Sequence, residues 1–224
     1  GNDVQIQLFG NLHQIGQSRH FAILFQYLHD TTHWLKTHAP DSEKLHLMAQ
    51  QCSKEELRHA ELCQKLLALS PTSVLLKKPE PSVLMGPDTL SEAQRVVYSA
   101  TALSCITETL STALLIEMSK KAEAGLFQSV IKEILEDEIG HSKIGWALLQ
   151  HFGETQSLSW LSEYIPEMLQ ISFNLESSVP PTQDLSPWGI LDKKTVKKIF
   201  FSTTNEVILP GLKLFGVKVN PIGF

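Results

Sequence analysis

The chain reads as an all-α protein: a four-helix bundle built from two helical hairpins joined by a long crossover, with additional helices at its C-terminal end. Three observations predict this. Strand-like alternation is almost absent, while long segments repeat apolar residues at intervals of three and four. The proline-rich stretch 71–88, with Pro71, Pro79, Pro81, Pro87 and Gly86, falls midway between two such hairpins and is long enough to cross from one end of a bundle to the other.

The elements follow in order. A first helix spans about Gln17 to Thr37 and stops before Pro40, because the residue preceding a proline is pushed out of the helical region. A second opens at Asp41/Ser42 and runs to about Leu69, where Ser70-Pro71 ends it. Thr89-Leu90-Ser91-Glu92 has the form of a capping box and opens a third helix lasting to about Gly125. A fourth fills Leu126 to Phe152 and stops at Gly153. A shorter helix is predicted near Ser157 to Phe173, and a last one from about Leu191 that Pro210-Gly211 should kink or break. Residues 1–153 are thus the bundle core, and 154–224 are C-terminal helices packed on it, since Phe200, Phe201, Val207, Ile208, Leu212 and Leu214 are too many apolar residues for a free tail.

Composition narrows the function classes. A chain of 224 residues that is 42% hydrophobic can bury a sizeable core. Its net charge of -5 and lack of a long basic run point away from nucleic acid and anionic membranes; Lys193, Lys194, Lys197 and Lys198 read as the wet face of one helix. No run of consecutive apolar residues reaches membrane-spanning length, and the first residues lack the shape of a signal peptide, so a cytoplasmic protein is expected. Cys52, Cys63 and Cys105 are an odd number with no Cys-x-x-Cys, which suits reduced, buried thiols.

The residues that carry chemistry are two Glu-x-x-His motifs, Glu56 to His59 and Glu138 to His141, each in the second helix of a hairpin. Three residues is nearly one turn, so each Glu and His project from one face and can bind neighbouring or shared metal ions. A single copy arises readily by chance; two copies at matched places in two hairpins do not. Glu108 lies thirty residues before Glu138, a there-and-back distance through the second hairpin.

On these motifs, above all Ile106-Thr107-Glu108-Thr109 and Glu136-Asp137-Glu138-Ile139-Gly140-His141, residues 17–153 resemble the ferritin-like di-iron carboxylate superfamily. Arg19-His20-Phe21-Ala22 also resembles the helix-A signature of a bacterial ferritin-like group of unassigned activity. The resemblance implies Glu56, His59, Glu108, Glu138 and His141 as ligands. It further implies that Asp137 and Glu55 accept the ring N–H of the histidine on the opposite hairpin, Asp137 from His59 and Glu55 from His141.

The first helix departs from the pattern, since it has no glutamate. His20 occupies the position that looks equivalent and is the favoured sixth ligand. Gln26, thirty residues before Glu56, and Asp30, the helix's only acid, remain open, as does a water or an unfilled position.

Carboxylates mixed with imidazoles suit iron first, with manganese or a mixed pair as alternatives. The expected function is a di-iron oxidase or oxygenase activating dioxygen for an unknown small-molecule substrate, supplied by an unknown electron donor. The competing readings are an iron-binding or ferroxidase protein, and a helical interaction protein whose metal site has decayed. Oligomeric state is open, a homodimer included.

Overall fold

The computed structural model describes residues 17–68, 85–177 and 184–219, with side chains for all of these except 17–20, 22, 67, 68 and 175–177. Most of the expected crossover falls outside the described residues. What is described is all-helical: six helices and no strand. Helix α1 is Gln17–His38 and α2 is Glu43–Ala68. Helix α3, Glu92–Lys121, comprises the α-helical segment Glu92–Ser99, a π-helical segment Ala100–Glu108 and a second α-helical segment Thr109–Lys121. Helix α4 is Leu126–Gly153, α5 is Ile165–Ser177, and α6 spans 193–214 with a π turn at Thr204–Ile208.

Each hairpin closes through local chemistry. At the α1–α2 turn Ser42 N donates to Ala39 O at 2.9 Å, and Lys36 and His38 place basic groups in the last turn of α1, where the helix dipole favours them. The α3 capping box forms two residues later than the sequence suggests. Ser91 caps Gln94 N at 3.3 Å, and the Gln94 side chain accepts from Ser91 N at 2.9 Å. Ser91-x-x-Gln94 offers the same reciprocal bonds as Thr89-x-x-Glu92, and the chain is still turning at Thr89.

Helices α2 and α4 lie side by side and antiparallel. Ser42 meets His151 at 3.4 Å near one end, and the two Glu-x-x-His motifs meet further along. Helix α4 closes on the π segment of α3 through Gly145, where a Cβ would stand 2.6 Å from Ser104 Cβ and 2.9 Å from Cys105 N. Only glycine permits that approach.

The C-terminal helices belong to the same apolar core. Phe200, Ile208, Leu212 and Val217 are buried with residues of α1 to α5, and Gly211 leaves room for the Trp146 indole of α4. The last helix packs on the bundle as expected, although Val207 and Leu214 point outward, at 49% and 84% exposure; of the kink or break expected at Pro210-Gly211, a break does not occur. The π turn at Thr204–Ile208 precedes the proline, which sits in the first turn of the α-helical segment that follows; the widened turn accommodates a residue with no N–H to donate. Helix α3 is long and apolar enough to cross a membrane by length and composition, which a count of consecutive apolar residues misses; 72% of its most apolar window is buried in the bundle, as for a core helix.

Two glycines test this packing. Gly145→Ala should cost ~1–3 kcal/mol by overpacking α4 against α3. Gly140→Ala, with nothing within 4 Å of the added carbon, should gain up to ~1 kcal/mol from helix propensity. Thermal and urea denaturation of both variants would check the opposite signs; equal effects would contradict the close contact.

Candidate metal centre

The core is divided by a polar layer. One apolar cluster contains Leu24, Cys52, Ile106, Leu110 and Ile144; the other contains Phe21, Cys63, Leu115 and Ile134. Between them on α2 and α4 lie Glu56, His59, Glu138 and His141, with Glu108 of α3 beside them. Glu56, His59 and Glu138 are 0% exposed and Glu108 and His141 are 1% exposed.

The four residues of the two motifs present ligand atoms that all lie within 4.8 Å of one another and could hold a metal ion. Their arrangement is crossed. Glu56 directs Oε1 to His141 Nδ1 at 2.7 Å and Oε2 to His59 Nδ1 at 3.9 Å. Glu138 directs Oε1 to His59 Nδ1 at 3.3 Å and Oε2 to His141 Nδ1 at 3.6 Å. Each carboxylate thus offers one oxygen to each imidazole, and the two rings are 5.4 Å apart between centroids.

The outer nitrogens fix the tautomers. His59 Nε2 lies 2.9 Å from Asp137 Oδ2, and His141 Nε2 lies 2.9 Å from Glu55 Oε2. A carboxylate can only accept, so each Nε2 carries the proton and, in a neutral ring, each Nδ1 turns a lone pair inward. There it faces carboxylate oxygens. None of the Glu56 and Glu138 oxygens or the two Nδ1 atoms closes a geometrically sound hydrogen bond among the described residues. Acceptors converging on acceptors in a buried space need either protons or a cation between them.

Without metal, protons supply that compensation. Burial works against a charged imidazole, but Glu138 and Glu56 outweigh it and push His141 up to about 12; His59 is raised by the same two glutamates and Asp137. Burial, with the charge of Glu138, lifts Glu56 to about 7 and Glu108 well above the carboxylate range. Glu138 is itself buried, yet the neighbouring Glu108, His141 and His59 hold it low. Burial lifts the Cys52 thiol to about 11 and that of Cys63 to about 12, so both stay protonated neighbours of the layer. A donor set of three carboxylates and two imidazoles that must otherwise be filled with protons fits a hard divalent cation.

Local structure explains how Glu108 arrives. It is the last residue of the π segment, where Thr107 Oγ1 donates to Ala102 O, five residues back, at 2.8 Å. Thr112 Oγ1 then donates to Glu108 O at 2.8 Å and reaches Glu138 O at 3.3 Å, tying α3 to α4 beside the two acids.

Among its described side chains, α1 brings apolar groups to the layer. Phe21 meets the His59 ring edge-on at 5.4 Å, and Leu24 is buried one turn further on. The His20 side chain lies outside the described residues. Gln26 and Asp30 bond each other at 2.8 Å on a half-buried flank, and Asp30 is not among the clustered residues. Glu117 pairs with Lys120 at 3.6 Å, away from it. Tyr27 is buried with its hydroxyl accepting from Ser104 at 3.4 Å.

Sequence reasoning passed over Arg58, which binds both Glu133 and Asp137, and Gln51, which donates to Glu55 at 2.6 Å. The signals were present: Arg58 lies inside a motif, and Gln51 is one turn before Glu55. No family model, curated protein or solved structure matches the chain.

The proton balance predicts a pH dependence. His59 and His141 are raised above 6.5, so their pairing stabilises the metal-free fold fully below that value and is lost as pH climbs through the folded values. Glu56 and Glu108 act in the same direction, because each must ionise inside the core. Glu138 and Asp137, both lowered, contribute above the carboxylate range and fail only on acidification. The Tm of metal-free protein should therefore fall from pH 6 to pH 9, while the increment from bound metal grows as proton competition fades. A metal increment that is the same at both ends would contradict this.

Proposed function

We propose that the chain is a ferritin-like di-metal protein, with two iron ions as the natural occupants, acting as an oxidase or oxygenase on a small organic molecule. The observation that supports it best is the crossed arrangement of Glu56 and Glu138, each offering one oxygen to each of two imidazoles. Two bidentate carboxylates suit a pair of ions about 3.5–4 Å apart better than one. Glu56, Glu138 and Glu108 would hold the metals together with His59 and His141, and reduced iron held there would supply electrons to dioxygen.

The protein's own part is geometry and exclusion of water. Asp137 and Glu55 hold the two imidazoles with Nδ1 inward, and Thr112 steadies the helices that carry Glu108 and Glu138. Phe21 and Leu24 shield the layer on the α1 side, and three buried cysteines stand around it. The second reading, iron oxidation without an organic substrate, draws on the near-total burial of all five donors.

Oxygen consumption separates the readings. Protein loaded anaerobically with Fe(II) should take up dioxygen in proportion to its iron on exposure to air, and Glu138→Ala should fall to the rate of free Fe(II). Uptake sustained by an artificial reductant only when an organic substrate is present supports the oxygenase; a single burst that no substrate prolongs supports the ferroxidase. Uptake unaffected by Glu138→Ala would remove both.

A further inference from the structure

The two half-sites have the same pattern and differ most within the motif at one place. Glu55-Glu56-Leu57-Arg58-His59 and Asp137-Glu138-Ile139-Gly140-His141 align residue for residue, acid against acid, Glu against Glu and His against His. The exception is Arg58 against Gly140.

That difference reaches the imidazoles. Arg58 extends from α2 across to α4, where its guanidinium pairs with Glu133 at 2.6 Å and closely with Asp137. Asp137 is the acceptor of His59 Nε2–H. On the other side Glu55, the acceptor of His141 Nε2–H, is held by the neutral Gln51 amide at 2.6 Å. No guanidinium or ammonium pairs with Glu55 among the described residues, and at Gly140 there is no side chain to supply one. Glu133 and Gln51 also correspond, each four residues before its acid. The acceptor of His59 is therefore bonded directly by a guanidinium, whereas the acceptor of His141 is bonded by a neutral amide and feels Arg58 only at longer range.

A carboxylate that shares its charge with a guanidinium pulls less on the imidazole N–H, which leaves the opposite ring nitrogen a weaker donor. We infer that Arg58 is a positioning residue that makes the centre unequal: through Asp137 it weakens His59 relative to His141, so that the His59 position is the lower-affinity one. The inference rests on the two-metal reading and names the side chain that would differentiate its halves. It is independent of which group α1 contributes.

Anaerobic titration of the metal-free full chain with Co(II), followed by calorimetry and visible absorption, tests it. The unmodified chain should bind in two unequal steps. Arg58→Gln, which keeps an amide donor but removes the charge, should tighten the weaker step and narrow the ratio about tenfold, in the range typical of changes to outer partners of metal ligands. Arg58→Lys should retain most of the difference. Gly140→Arg, at a position open to solvent, places a guanidinium within reach of Glu55 and should weaken the stronger step, so it serves even where Arg58→Gln disturbs the fold. Proton NMR of the Co(II) protein adds a readout that packing alone does not move: of the two shifted ring N–H resonances, Arg58→Gln should displace one and leave the other. Two steps whose ratio ignores both Arg58→Gln and Gly140→Arg, or widens with them, overturn the inference and leave the two-metal reading intact. A single step in the unmodified chain removes both.

Discussion

Five ionisable side chains sealed into one layer of an apolar core form the constraint on which the rest of the structure depends. Glu56, His59, Glu108, Glu138 and His141 have essentially no contact with solvent, and uncompensated charge there would cost several kcal/mol per group. The fold meets this by bringing acids and imidazoles together on helices that must lie adjacent. Helices α2 and α4 run antiparallel so that each glutamate spans both histidines. The π segment of α3 ends at Glu108, and Gly145 lets α4 approach that segment closely. The hairpins are then locked by a ring of outer contacts in which Asp137, Glu55, Arg58 and Gln51 hold the imidazoles from behind.

Protons and cations are alternative ways of satisfying the same layer. With both Nε2 atoms committed to carboxylates, the inward face consists of oxygens and two Nδ1 atoms, which protons balance and which could hold a metal ion in their place. The internal pseudo-symmetry is imperfect. Helix α3 brings Glu108 whereas α1 has no glutamate, its described side chains at this level including Phe21 and Leu24, and Arg58 stands where its counterpart is Gly140.

Much of this was legible in the sequence because it depends on periodicity. Long helices follow from apolar spacing, and the convergence of Glu56, His59, Glu138 and His141 follows from two motifs at matched depth in two hairpins. The partnership of Asp137 with His59 and of Glu55 with His141 was implied by the resemblance to di-iron proteins, in which the acid before a motif glutamate supports the opposite histidine. The π segments were not legible, since one extra residue in a turn leaves no compositional trace; with them went the survival of α6 past Pro210. The cap of α3 shifted because Ser91 and Gln94 compete on equal chemical terms with Thr89 and Glu92. Val207 and Leu214 face outward because the phase of a short helix broken by a π turn does not follow from counting apolar residues.

The central claim is that the polar layer holds a pair of metals. Crystals of protein loaded anaerobically with Fe(II), measured on both sides of the iron absorption edge, test it most directly. A bound pair gives two anomalous peaks about 3.5–4 Å apart between α2, α3 and α4, each next to one histidine Nδ1 and both beside Glu56 and Glu138. A single peak equidistant from His59 and His141, or iron bound only at the surface, would contradict it.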